Sequence, residues 1–288
     1  MTRLLAATME ELATSEAKKR AFAAKMELLL NERDRLAQEA VHRAWDLLEE
    51  LRRSVSTELL SASGYDAFQL PRLKAALDQL GKDFAARYEA ELSDRLDAAW
   101  ALGNDAIDKG LKAVDVTLGT FQIDTTQLAI VQGISADLIT RLSSEMIAAI
   151  SVQIQRGVLA EQSVFETMQA ITDLLGSADA VGAKGTLTFV ADGVAARAET
   201  ITRTEMLRSY NLANYGRSLD AAQSGVEYTQ WQTAKDGRVR ASHKALQGKI
   251  VKVGQEFAPG LRFPLDPQGS AGDTINCRCR ATPAFGPG

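Results

Sequence analysis

The chain has 288 residues, 45% of them hydrophobic and 24% charged, with a formal net charge of −4. This is ordinary composition for a folded, water-exposed protein, and the length suits two domains or one compact domain with a long helical extension. No run of about 18 apolar residues offers a membrane span, and the opening MTRLLAATMEELATSEAKKR carries acidic residues where a secretion signal needs an apolar core. The sequence is therefore read as that of a protein made and used in a cytoplasm.

The first half is rich in Ala, Leu, Glu, Lys and Arg, a mixture that favours helix. Residues 1–63 contain neither Gly nor Pro, and Leu29, Leu36, Ala40, Ala44, Leu47, Leu51, Val55 and Leu59 recur at three- and four-residue steps on one helical face. Gly64 in the SASG stretch is a plausible left-handed stop, and Pro71 fits the first turn of a second helix. That helix carries Leu73, Ala76, Leu77, Leu80, Phe84, Tyr88, Leu92, Leu96 and Trp100 on its stripe. Stripes of this kind pack on each other more often than on a ligand. Their length also permits self-association through the N-terminal helices. His42 stands among charges and reads as a surface residue.

Between Gly103 and Gln127 the pattern breaks, with Gly103, Gly110 and Gly119 taken to interrupt any helix. Ser135 is read as the cap of the next helix, striped by Leu138, Leu142, Met146, Ile150 and Ile154 and ended by Gly157. Ser163 and Glu166 then form a capping box for a helix over 163–175, stopped at Gly176. Four glycines over 176–193 surround a short β-prone run, Thr186 to Val190, and mark the expected boundary of the last domain. A helix over about 194–222 follows, then a β-prone Val226 to Thr233, a turn at Asp236-Gly237 and a short strand from Lys249 to Val253. The fold class is mainly α: an N-terminal helical region followed by a small α+β C-terminal domain. Three parts are expected: a long-helix hairpin region over 1–125, a helical connector over 126–192 and the α+β domain over 193–288.

Cys277 and Cys279 are the only cysteines. A disulfide between them would close a tiny strained ring and stabilise almost nothing. In extended chain their side chains point the same way, while Arg278 and Asn276 point the other. Two thiolates and the imidazole of His243 make a donor set that suits Zn²⁺, with Asp236, Asp273 or water as a fourth ligand. The competing reading is two buried thiols and a hydrogen-bonded histidine tying down the chain end. Arg203, Glu205, Asp236, Arg238 and Arg240 could form a buried ion network that fixes the domain's geometry, or the arginines could contact phosphate in a bidentate way. Trp231 reads as a core anchor. Residues 197–288 hold 13 Lys and Arg against 8 Asp and Glu, a mild basic excess compatible with DNA or an acidic partner.

Five elements occur in order within 201–280: Arg203-Thr204-Glu205 with Asn211 and Asn214 after it; Trp231; Asp236-Gly-Arg-Val-Arg240 with His243; Gly248 before Lys249-Ile-Val; and Asn276-Cys-Arg-Cys-Arg280. This order resembles the Mu F-like minor head proteins of tailed phages, the phage head-morphogenesis family. A looser resemblance reaches upstream through Ile150 to Gly157, and residues 1–130 carry none beyond being helical. The resemblance implies a minor capsid protein of few copies, associated with the portal protein and other capsid proteins during prohead assembly. It would sit in the virion, in the capsid interior or at the portal vertex, after assembly in the host cytoplasm, and could contact viral DNA. Neither enzymatic activity nor a membrane partner is expected. The rival readings are a DNA-binding ejection protein and a small nuclease or ADP-ribosyl-transfer enzyme. Against an enzyme stand the single histidine of the domain and the lack of a Gly-rich phosphate loop or an H-E-x-x-H helix.

Overall fold

A computed structural model describes residues 15–61, 70–119, 125–176 and 193–286. Among the described residues, five helices of three turns or more come first: α1 (Glu16–Ser61), α2 (Leu70–Lys112), α3 (Thr126–Leu159), α4 (Val164–Leu175) and α5 (Gly193–Gln223). The C-terminal part adds β1 (Tyr228–Gln232), the single-turn α6 (Ala241–Lys244), β2 (Ile250–Lys252), the single-turn α7 (Ala271–Thr274) and β3 (Arg280–Ala284). The architecture is thus long helices followed by a small α+β region, as the periodicity indicates.

The stripes drive the helices inward. Leu29, Ala40, Ala44, Leu47, Leu51, Val55 and Leu59 of α1 are all buried, as are Leu73, Leu77, Phe84, Tyr88, Leu92, Leu96 and Trp100 of α2. Leu142, Met146, Ile150 and Ile154 of α3 follow the same rule, while His42 is exposed beside Trp45. Helix α4 begins on the expected capping box, with the Ser163 side chain accepting from the Glu166 amide and the Glu166 side chain accepting from the Ser163 amide.

Several helix boundaries differ from the sequence reading; Gly157, expected to end α3, lies inside it, and the helix runs on to Leu159. Gly103 and Gly110 do not interrupt α2, which runs through both to Lys112. Each glycine sits where a neighbouring element comes too close for a side chain. A Cβ on Gly103 would lie 2.3 Å from the Tyr210 carbonyl oxygen of α5, and one on Gly110 would lie 2.6 Å from Met26 Sδ of α1. Nor does Ser135 cap a helix: α3 starts at Thr126, and Ser135 is a buried interior residue. Gly64 and the β-prone Thr186 to Val190 lie outside the described residues.

The chain divides into two compact units, each drawn from separated stretches. One comprises Met1–Gln38, Asp94–Gln132 and Arg203–Gly288; the other comprises Glu39–Ser93 and Gly133–Thr202. In the second unit, Tyr88 donates its buried hydroxyl to the Ala198 carbonyl at 2.9 Å and meets the Thr202 hydroxyl at 2.6 Å. Ser143 donates to the Gly81 carbonyl at 2.7 Å, and Arg43 and Arg87 pair with Glu91 and Glu50.

The first unit holds the sheet, an antiparallel three-strander in the order β2-β1-β3. In central strand β1, Thr229 and Trp231 point inward and their neighbours are half-exposed. Trp231 is fully buried, edge-on to Phe257. Gly248, at φ +80°, shapes the turn before β2, where its amide donates to the Trp231 carbonyl and the Trp231 amide donates to the Lys249 carbonyl, each at 2.9 Å. Among the described residues, no helix is long and apolar enough to cross a membrane.

Candidate metal centre

Strand β1, the turn α6 and the segment entering β3 converge on one buried cluster. The turn that carries the histidine is short: α6 starts at Ala241 with Arg240 at its cap position and no side-chain capping bond. His243 is buried at 2% exposure, and its ring stands edge-on to Trp231 with centroids 5.3 Å apart. Cys277 and Cys279 are buried and free of disulfide. Their sulfurs lie 3.6 and 3.5 Å from the same nitrogen, His243 Nδ1, and the three donor atoms lie within 4.8 Å of one another.

The electrostatics of the two thiols are those of a shared site. Cys277 is pulled well below the usual thiol range by the hydrogen bond from the Cys279 thiol and, after burial has opposed it, by His243. Cys279 is pushed up by its hydrogen bond to Cys277 and by burial, with the neighbouring negative charge adding to both. One thiol therefore ionises readily, and its charge resists ionisation of the second.

Asp273, in α7, faces the other side of the imidazole, its Oδ1 3.6 Å from His243 Nε2. Its second oxygen accepts the Ser270 hydroxyl at 2.7 Å, and Ser270 Oγ accepts the Asp273 amide as the cap of α7. Asp236 is engaged elsewhere: both its oxygens accept from Arg278, at 2.5 and 2.7 Å. That pairing lowers the Asp236 carboxyl below its ordinary range. Of the proposed fourth ligands, then, Asp236 is committed to an ion pair and Asp273 addresses the wrong ring nitrogen for joining both sulfurs.

The remaining singled-out residues surround the same segment. Thr204, next to Arg203 on α5, accepts the Asn276 amide at 3.0 Å. Asn276 itself is in the left-handed region at φ +58°. Asn211 donates to the Leu207 carbonyl at 2.8 Å and reaches the Cys279 carbonyl at 3.5 Å. Arg240 donates to the Ile275 carbonyl. Arg238 is exposed, its amide donating to Asp236 Oδ1 and so closing the turn. Glu205 is buried and doubly bonded to Arg208, at 2.5 and 2.6 Å; burial raises its carboxyl despite that partner. The carboxylates of Glu205 and Asp236 thus turn to Arg208 and Arg278, two arginines the sequence did not mark as their partners. Arg203 is half-buried on α5.

Sequence reasoning also passed over Asp266. It is fully buried and accepts Arg262 Nε and Nη2 at 2.8 and 3.1 Å, plus the amides of Arg262 and Gln268 at 3.1 Å each. An R-x-x-x-D spacing beside three prolines was the available signal, but it is too common to stand out.

The protein is thus mainly helical, with a C-terminal α+β module organised around a buried His/Cys/Cys cluster. A family described as phage Mu protein F like protein matches residues 128–282, a span that includes all five ordered elements. The chain belongs to this family of phage head-morphogenesis proteins. No curated protein and no solved structure matches it.

Proposed function

We propose that this protein is a minor head protein of a tailed phage that joins the portal protein and other capsid proteins during prohead assembly and has no catalytic activity of its own. The observation that carries this reading is where the motif residues go. Thr204, Asn211, Asp236, Arg240, Asn276, Cys277, Arg278 and Cys279 bond to one another's segments and fix the chain end in one module. Residues engaged in this way fix the module's geometry, which supports a role in recognition. Family membership supplies the setting, the phage head.

The test is isolation of assembling particles with a tagged portal protein. The chain is expected to copurify with the portal; its absence from portal-containing particles would overturn the assignment. Purified protein is expected neither to cut DNA nor to consume NAD⁺, and either activity, lost on His243→Ala, would replace this reading with an enzymatic one.

Viral DNA is a further proposed partner. The support is the basic excess of the last ninety residues, with Lys235, Arg238, Lys244 and Lys252 exposed. Phosphate contacts of that kind are salt-dependent. Retention of the full chain on DNA at low salt that falls steeply as salt rises would support the partner, and no retention at low salt would exclude it.

A further inference from the structure

We propose that His243, Cys277 and Cys279 bind one Zn²⁺ as three corners of a tetrahedron, and that Asp273 is the positioning residue behind the imidazole.

Both sulfurs lie at nearly the same distance, 3.6 and 3.5 Å, from one ring nitrogen. A ring nitrogen carries at most one hydrogen, held in the ring plane, and one hydrogen cannot point along two separate directions. A cation between the three atoms has no such restriction. With Zn–S of about 2.3 Å, Zn–N of about 2.0–2.1 Å and tetrahedral angles, the N···S edge comes to about 3.5–3.6 Å. Both N···S distances of the cluster already match that edge.

On the far side of the ring, His243 Nε2 is buried and lacks a hydrogen-bond partner at normal length, yet Asp273 Oδ1 lies 3.6 Å away. If Nδ1 ligates the metal, the proton belongs on Nε2 and faces that carboxylate. Metal-ligating histidines are held and tuned by this kind of partner. Ser270 fixes the Asp273 carboxylate from behind at 2.7 Å, so the chain of groups runs Ser270, Asp273, His243, metal.

The donor atoms themselves favour a soft dication: Cys277 and Cys279 are both free and buried beside the imidazole. The donor set of one imidazole and two thiolates selects Zn²⁺ over oxygen-seeking Mg²⁺ or Ca²⁺. Among the described residues, no other His, Cys, Asp or Glu places a ligand atom within the cluster, so water or another small ligand completes the tetrahedron. The metal would join α6 to the segment entering β3, linking residues 34 apart in the chain.

The experiment uses the full chain purified without a histidine tag. Elemental analysis is expected to give about one zinc per chain. Replacement by Co²⁺ should produce the near-ultraviolet thiolate-to-metal charge-transfer absorption of two sulfur ligands, with the visible d–d bands of a tetrahedral site. The double variant Cys277→Ser/Cys279→Ser should lose the metal, and Asp273→Asn should keep it with an affinity about 10–100-fold weaker, read by competition with a chromophoric chelator. In excess chelator, the thermal melt of Asp273→Asn should match that of the parent, separating positioning of the ligand from support of the fold. Wild-type protein with neither zinc nor a cobalt charge-transfer band would overturn the site, a result that does not depend on whether the cysteine variant folds. Equal zinc in the double cysteine variant would mean adventitious metal and overturn it too. An unchanged affinity in Asp273→Asn would overturn the positioning role alone.

Discussion

At Asn276 the backbone turns at φ +58°, and its amide is held by Thr204. Asn tolerates this region better than most residues, and β-branched side chains are poorest there. Asn276→Val is expected to destabilise the protein by about 1–2 kcal/mol, whereas Asn276→Gly should leave the backbone unstrained; chemical denaturation of the two variants measures the difference. Asp236 gives a pH-dependent prediction. Its carboxyl is lowered by the Arg278 hydrogen bonds, so the folded state binds its proton more weakly than the unfolded chain does. The stabilisation is then fully present above the ordinary carboxylate range and lost as pH falls through the depressed value. The pair is about one-third exposed, with side-chain exposures of 26% and 37%, so solvent screening limits its worth to about 0.5–1 kcal/mol. Asp236→Asn should lower stability at pH 7 by that amount and little at pH 3, as followed by denaturation at both. The alternation of side chains along an extended segment makes the shared direction of Cys277 and Cys279 legible in the sequence, and with it the opposite direction of Arg278. That Arg278 meets Asp236, and Glu205 meets Arg208, was not legible, because the partner of a charged side chain depends on how the elements pack.

Among the elements, the helices were legible from their apolar steps and strands β1 and β2 from their β-prone runs, because burial follows the period of each structure; β3, at Arg280–Ala284, had no such run to mark it. The glycines of α2 were not. A glycine in a sequence marks a break as readily as it marks a place where two helices nearly touch, and only the neighbour decides. At Gly103 that neighbour is the Tyr210 carbonyl oxygen, with the Ala213 methyl at 2.9 Å from the added carbon. Gly103→Ala must therefore push α2 from α5 and is expected to cost about 1–3 kcal/mol. Gly133 provides the contrast inside α3, where a Cβ would meet nothing within 4 Å. Gly133→Ala should raise stability by about 0.4–1 kcal/mol, through better helix propensity and a less flexible unfolded chain. Equal and opposite shifts in melting temperature are not required; opposite signs are. Ser135 was misplaced for a related reason: a cap residue and a buried interior serine look alike in sequence, and only the helix start at Thr126 separates them.

For the molecule as a whole, the five ordered elements that signal the phage Mu protein F-like family are the ones that assemble the C-terminal module. The family signal and the packing logic therefore coincide from Thr204 to Arg278. The long helices upstream show their amphipathic pattern plainly, but pattern alone does not say which partner a helix meets in an assembly. The proposed placement of this chain as a minor head component at the portal is tested by quantitative mass spectrometry of purified proheads, comparing the molar amounts of this chain, the portal protein and the major shell protein. A few copies that scale with the portal and fall far below the shell protein are expected. A stoichiometry matching the shell protein, or particles that carry portal without this chain, would contradict it.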